Sequence, residues 1–156
     1  MTEPALIIVC GLPGAGKTTM ARSLAAERNG IRLCPDDWLQ ALGFTLWEES
    51  LRDRVERLQW DLARDLLRAG NVVIIEWGTW GRDERDRLRL EARTLGAQLE
   101  LVFLDPPLDE LWRRIEARGQ EDPAIPRSDL DHWDRVFQRP DEDELADYDA
   151  AVVIND

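Results

Sequence analysis

With 156 residues, 44% hydrophobic and 33% charged, the chain has room for one domain with its own core and reads as globular, not disordered. A formal charge of −12 argues against general electrostatic binding of nucleic acid and leaves a neutral or cationic partner free of such repulsion. No apolar run reaches the length of a bilayer span, and Met1-Thr2-Glu3-Pro4 lacks a basic leader, so the expected location is cytoplasmic and off the membrane. Nothing in the composition sets an oligomeric state.

The apolar run Leu6–Cys10 predicts a first strand at about 5–10. It leads into Gly11-Leu12-Pro13-Gly14-Ala15-Gly16-Lys17-Thr18-Thr19, a complete G-x-x-x-x-G-K-[ST] phosphate-binding loop with a helix-forming stretch behind it. Glycines let the backbone turn its N–H groups onto phosphate oxygens, and the new helix adds its unpaired N–H groups and positive dipole end. Lys17, the chain's sole lysine, is placed for the β- and γ-phosphates of ATP, and the Thr18 hydroxyl for a Mg²⁺ ion. The helix is expected to stop at Gly30.

A second strand at 31–34 ends in Cys34-Pro35-Asp36-Asp37-Trp38. Ligands of an open parallel sheet bind beyond the carboxyl ends of its strands, so Asp36 and Asp37 face the phosphates, one as base for an acceptor hydroxyl and the other as cap of a short helix at 37–42. Asp36 is the preferred base. A long helix over 47–69 shows Leu51, Val55, Leu58, Leu62 and Leu66 at helical spacing, read as its core face.

A third strand at 72–76 closes on Glu76, where a carboxylate can hold a Mg²⁺-bound water or an acceptor hydroxyl. Trp77, Trp80 and Arg82 follow; either tryptophan is a wall for the acceptor or a core residue. After a helix at 82–95, a strand at 99–104 ends in Asp105, expected to cap the helix opened by Pro106 and Pro107. That helix ends in Arg113-Arg114-x-x-x-Arg118-Gly119. Arg114 and Arg118 share a face and suit clamping of the adenine and the transferring phosphate; Arg113 is expected to pair with Glu110.

Residues 119–140, with Pro123, Pro126 and Pro140, read as a lid carrying a helix near 128–137, in which Arg127 is a weaker candidate and His132 a surface residue. Asp141-x-x-Glu144 predicts a capping box on a solvated acidic helix, and Ala150–Ile154 a last buried strand. Cys10 and Cys34, without pairing or metal-ligand spacing, are expected as reduced thiols. Strands alternating with helices make this an α/β fold, a parallel sheet with helices on both faces.

The chain resembles the small P-loop kinases that include polynucleotide 5′-kinase, chloramphenicol phosphotransferase and zeta toxin. Gly11–Thr18 matches their loop, Asp36 falls where they carry the general base, and Arg114-x-x-x-Arg118-Gly119 is similar to the arginine pair that begins the polynucleotide kinase lid. Where that enzyme has an arginine three residues after its base, this chain has Leu39. The resemblance implies a three-layer P-loop fold, a five-stranded parallel sheet of order 2-3-1-4-5 with a small helical lid. It implies an ATP- and Mg²⁺-dependent kinase in which Lys17, Asp36, Arg114 and Arg118 carry the chemistry. The acceptor stays open between a small-molecule hydroxyl and a polynucleotide 5′ end. A nucleotide-dependent switch that transfers nothing is a third reading.

Overall fold

The strand that feeds the glycine-rich loop runs through the middle of the sheet. A computed structural model describes residues 3–45, 47–119 and 124–156, so Met1, Thr2 and Pro123 lie outside the described residues. In it β1 (Ala5–Cys10) is flanked by β3 (Val72–Gly78) and β4 (Gln98–Leu104), with β2 (Ile31–Leu33) and β5 (Ala150–Ile154) at the edges. The order is β2-β3-β1-β4-β5 and every pairing is parallel, as the resemblance implied. Ala5 pairs with Val72 on one side and Gln98 on the other. Every residue of β1 and β3 is buried, which requires cover on both faces. The cover comes from α1 (Lys17–Arg28), α2 (Pro35–Ala41), α3 (Glu49–Arg68), α4 (Arg82–Thr94), α5 (Leu108–Arg118), α6 (Arg127–Val136) and α7 (Glu142–Leu145).

Four expectations are corrected. The left-handed residue that ends α1 is Asn29 (φ 51°); Gly30 is there because a Cβ would lie 2.6 Å from Ile74 Cδ1. The buried face of α3 is Val55, Gln59, Trp60, Ala63 and Leu67, while Leu58 and Leu62 are 60% and 39% exposed. Trp60 decides this: its Nε1 donates to Glu91 Oε2 (2.6 Å) and its ring meets Trp77 edge-on at 6.1 Å. Burying that large ring with its N–H satisfied turns the helix about 100° from the leucine stripe. Third, β5 is the exposed outer edge, with Val152 47% exposed. Fourth, α7 is not solvated throughout. Asp141 caps it by accepting the Glu144 N–H (2.8 Å), but the Glu144 side chain turns inward.

There Glu144 meets Arg85, which is fully buried. Arg85 Nε and Nη2 donate to the two carboxylate oxygens at 2.6 and 2.9 Å, Nη1 donates to Thr79 O at 2.7 Å and Nη2 to Gln138 O at 2.5 Å. This one guanidinium joins the end of β3, the exit of α6 and α7. Of the segment read as a lid, the described residues from 124 onward carry α6 and pack on the body: Ile125, Leu130 and Phe137 are buried in the main core, and Phe137 stacks on Phe103 at 5.6 Å.

Removing one partner of a buried ion pair strands the other's charge. Arg85→Met should lower the unfolding free energy by about 3–5 kcal/mol in a urea titration, and Arg85→Met with Glu144→Leu should recover most of that loss.

Candidate active site

β1 delivers its chain into the loop at the carboxyl edge of the sheet. Gly14 and Gly16 take φ of 85° and 98°, which side chains rarely adopt, and α1 begins at once with no side chain capping it. The first-turn N–H groups are left to an anion. Lys17 folds back over the loop, its Nζ donating to Gly11 O (2.9 Å) and Leu12 O (3.1 Å). Burial pushes its ammonium down to about 8; the Arg52 guanidinium adds to this, and the carboxylates of Asp36 and Glu76 oppose it.

Glu76 closes on the loop from the end of β3. Its Oε1 accepts from Thr18 Oγ1 and from Arg32 Nη1, both at 2.9 Å. Its Oε2 is buried with no hydrogen-bond partner among the described residues. A buried, unpaired carboxylate oxygen beside the loop threonine suits a cation. Among the described residues no three carboxylate, imidazole or thiol groups form a metal cage. The Cys34 thiol is pushed up to about 12, first by burial and then by Glu76 beside it; Cys10 is raised to about 11 by burial. Both cysteines are buried and unpaired with each other.

Neither aspartate caps α2, which begins at Pro35 with Asp36 and Asp37 in its first turn. Each is exposed and taken by an arginine, Asp37 by Arg32 and Asp36 by Arg52 of α3. Arg52 Nη2 also donates to Trp77 O at 3.4 Å. One turn along α3, half-buried Glu56 is pushed up to about 7 by burial, against the pull of Arg52 and with Glu84, Asp53 and Asp36 adding to the rise. Glu84, in the first turn of α4, is raised as well, chiefly by burial. The wall beyond Asp36 thus carries Asp53, Glu56 and Glu84, with the Arg52 and Arg87 guanidinium groups among them. Arg52, Glu56 and Arg32 were not singled out from sequence; the i, i+4 spacing of Arg52 and Glu56 was their only signal, and it fits any exposed helix face.

On the other flank, Arg114 Nη1 reaches toward Gly14 O and Ala15 O at 3.4 Å, Nη2 donates to Asp156 O at 3.1 Å and Nε to Glu110 Oε1 at 2.9 Å. It borders a hollow of about 500 Å³ with Gly16, Met20, Leu104 and Ile154. Arg113 pairs with Glu110 at 2.5 Å as expected, and the two arginines hold that carboxyl down to about 2. Arg118 is the exposed last residue of α5.

The remaining candidates go elsewhere. Trp77 is core, its Nε1 donating to Gln59 Oε1 (2.9 Å). Trp80 is half-buried between Trp133 and Phe137 of the lid segment, at 5.8 and 6.4 Å. The Arg82 side chain reaches Asp86 and Asp141 at 3.5 Å and Glu144 at 3.9 Å, while its N–H donates to Gln138 Oε1. Asp105 does not cap α5; it accepts from Arg139 Nε at 3.2 Å. Arg127 pairs with Asp109 and Asp131 and lies over the Trp112 ring. No helix among the described residues is long and apolar enough to cross a membrane.

The chain is similar to adenylyl-sulfate kinase of Pseudomonas aeruginosa, 34% identical with 72% of this chain and 59% of that protein covered. It is 31% identical to guanylate kinase of Salinibacter ruber over 100% of this chain and 90% of that one. Across the adenylyl-sulfate kinases it matches, the chain spans about three fifths of their length, 63% in the Aeropyrum pernix protein. Among solved structures, the Mycobacterium tuberculosis APS kinase in complex with AMPPNP and APS superposes with a TM-score of 0.69 at 19% identity, covering 98% of this chain and 90% of that one. The model of the AAA_33 family, an AAA domain, matches residues 6–140, from the first strand through the phosphate loop to the end of the lid segment. The chain belongs to the AAA_33 family, within the P-loop kinase-like group.

Proposed function

We propose that the chain is an ATP- and Mg²⁺-dependent kinase that moves the γ-phosphate of ATP to a hydroxyl of a small molecule. The observation that carries this reading is the convergence on Lys17 of two carboxylates from different strands' ends, Asp36 after β2 and Glu76 at the end of β3. Loop amides and the Lys17 ammonium, released from the Gly11 and Leu12 carbonyls, take the triphosphate. Thr18 and Glu76 would hold Mg²⁺, which when bound neutralises phosphate charge. Asp36 accepts the acceptor's proton as the new oxygen–phosphorus bond forms and the bond to the ADP oxygen breaks. Arg114, beside the hollow, would bind the adenine and the phosphates, and Arg118 would stabilise the transferring group.

The acid-rich wall supports a hydroxyl acceptor without phosphate of its own. Its Arg52 guanidinium is already taken by Asp36, and Asp53, Glu56 and Glu84 stand around it. An anionic acceptor such as a polynucleotide end meets the exposed carboxylates of Asp36 and Asp53 there, and a nucleotide switch has no need of Asp36 within charge reach of Lys17.

A screen with γ-labelled ATP over nucleosides, sugars, antibiotics and short oligonucleotides, with Lys17→Ala as the blank, tests the reading. Slow hydrolysis with no acceptor labelled, and with Asp36→Asn as active as the parent, would overturn it. Asp36→Asn should cut transfer by about 10²–10⁴-fold while ATP still binds. Glu76→Gln should raise the Mg²⁺ concentration for half-maximal rate by about tenfold. Because the charged form of Lys17 holds phosphate and its folded pKa is about 8, ATP affinity should be flat below that pH and fall above it. Fluorescent-nucleotide displacement should show a roughly fivefold loss between pH 8 and 9, where a lysine of ordinary pKa would show none.

A further inference from the structure

Arg52 belongs to no motif and enters the site from the start of α3. Its guanidinium is forked between two other elements: Nη1 pairs with Asp36 of α2, and Nη2 donates to Trp77 O at the end of β3. The pair sits at the mouth of the site, with the Arg52 side chain 23% exposed and that of Asp36 54% exposed. An ion pair that open to water adds little to stability, so stability is a poor account of why the two groups meet. Arg52 also stands within electrostatic reach of Lys17. Two cations within charge reach of Asp36, Arg52 in contact and Lys17 beyond it, suit the charge of a transferring phosphoryl group.

We propose that Arg52 is the positioning residue of the transfer: it holds Asp36 toward the acceptor hydroxyl and passes to the phosphoryl oxygens once Asp36 is protonated. This rests on the kinase reading above. The acceptor O–H bond breaks and its proton goes to Asp36; the oxygen–phosphorus bond forms; the bond between the γ-phosphorus and the ADP oxygen breaks, and ADP keeps that electron pair. A neutral Asp36 no longer neutralises the guanidinium. The freed charge is then available to the ester phosphate at the moment that group exists. Loss of the proton to water and departure of the product restore the pair.

The test uses the full chain with ATP and Mg²⁺, water as the acceptor, and ADP formation as the signal. Asp36→Asn and Arg52→Gln should each lower kcat by about 10²-fold with the KM for ATP changed less than about threefold. The double variant should be no more than about threefold slower than Asp36→Asn, because the two residues act as a unit. Arg52→Lys, which keeps the charge without the fork, should regain about tenfold and serves as the readout if Arg52→Gln fails to fold. Parent-like turnover in Arg52→Gln, losses that multiply to about 10⁴, a loss seen in the KM for ATP instead of kcat, or Arg52→Lys no better than Arg52→Gln would each overturn the assignment. If Asp36→Asn runs at the parent rate, the base itself falls and Arg52 with it. If Asp36→Asn is slow and Arg52→Gln is not, the kinase reading stands and only the role of Arg52 is lost.

Discussion

The Lys17 ammonium is paired with two backbone carbonyls of its own loop and is buried enough to sit near 8, so meeting an anion relieves it. That constraint orders the rest of the structure. Carbonyls are weak partners for a full charge, and a phosphate replaces them with a better one. For the phosphate to arrive, the loop must sit where amides point outward and no side chain blocks them. The central position of β1, buried along its whole length, fixes the loop at that edge. Two glycines at positive φ let the backbone turn there, and α1 starts without a cap.

The end of β3 serves three tasks in succession, made possible by the alternation of strand side chains. Glu76 faces Thr18 and Arg32, and Trp77 faces α3. At Thr79 the chain takes a φ of 48°, costly for a β-branched residue by about 1–3 kcal/mol, and must be held. Arg85 holds it through the Thr79 carbonyl, and the same guanidinium holds Gln138 O at the exit of α6. Gln138 N in turn donates to Trp80 O at 2.9 Å. The loop after β3 and the exit of α6 are therefore one mechanical unit, anchored by a buried ion pair with Glu144. Charge placed so deep is a poor source of stability but a strict one of geometry, since either partner alone is untenable.

What could be read from residues alone was what local sequence encodes. The phosphate loop is contiguous, so its glycines, lysine and threonine announce themselves. The strands are short apolar runs bounded by breakers, and their bounds hold to within a residue or two. The misreadings are tertiary in origin. The leucine stripe of α3 is a sound amphipathic pattern that lost to one tryptophan with a partner on α4. Asp36, Asp37 and Asp105 look like caps because each stands near a helix start, yet arginines of other elements claim all three side chains, Arg32 of β2, Arg52 of α3 and Arg139. Arg52 gave no signal because an arginine on a helix is ordinary surface chemistry, and Arg85 stood out only as a neighbour of the third strand's end. Their roles exist only where three elements meet.

The absence of an arginine at position 39 is instructive in the same way. Leu39 is 2% exposed, on the inner side of α2, where a guanidinium would be buried without a partner. A cation nonetheless reaches Asp36, supplied across space by α3 instead of along α2. The acids that come with it on α3 and α4 are costly. Glu56, raised to about 7, holds a proton in the fold that the unfolded chain has shed above its usual 4.5, so its contribution to stability declines as pH rises between those values. A fold retains carboxylates at such a cost where their field has a use. Beside a phosphate-binding loop, carboxylates so placed leave the loop amides and Lys17 as the groups best suited to receive negative charge.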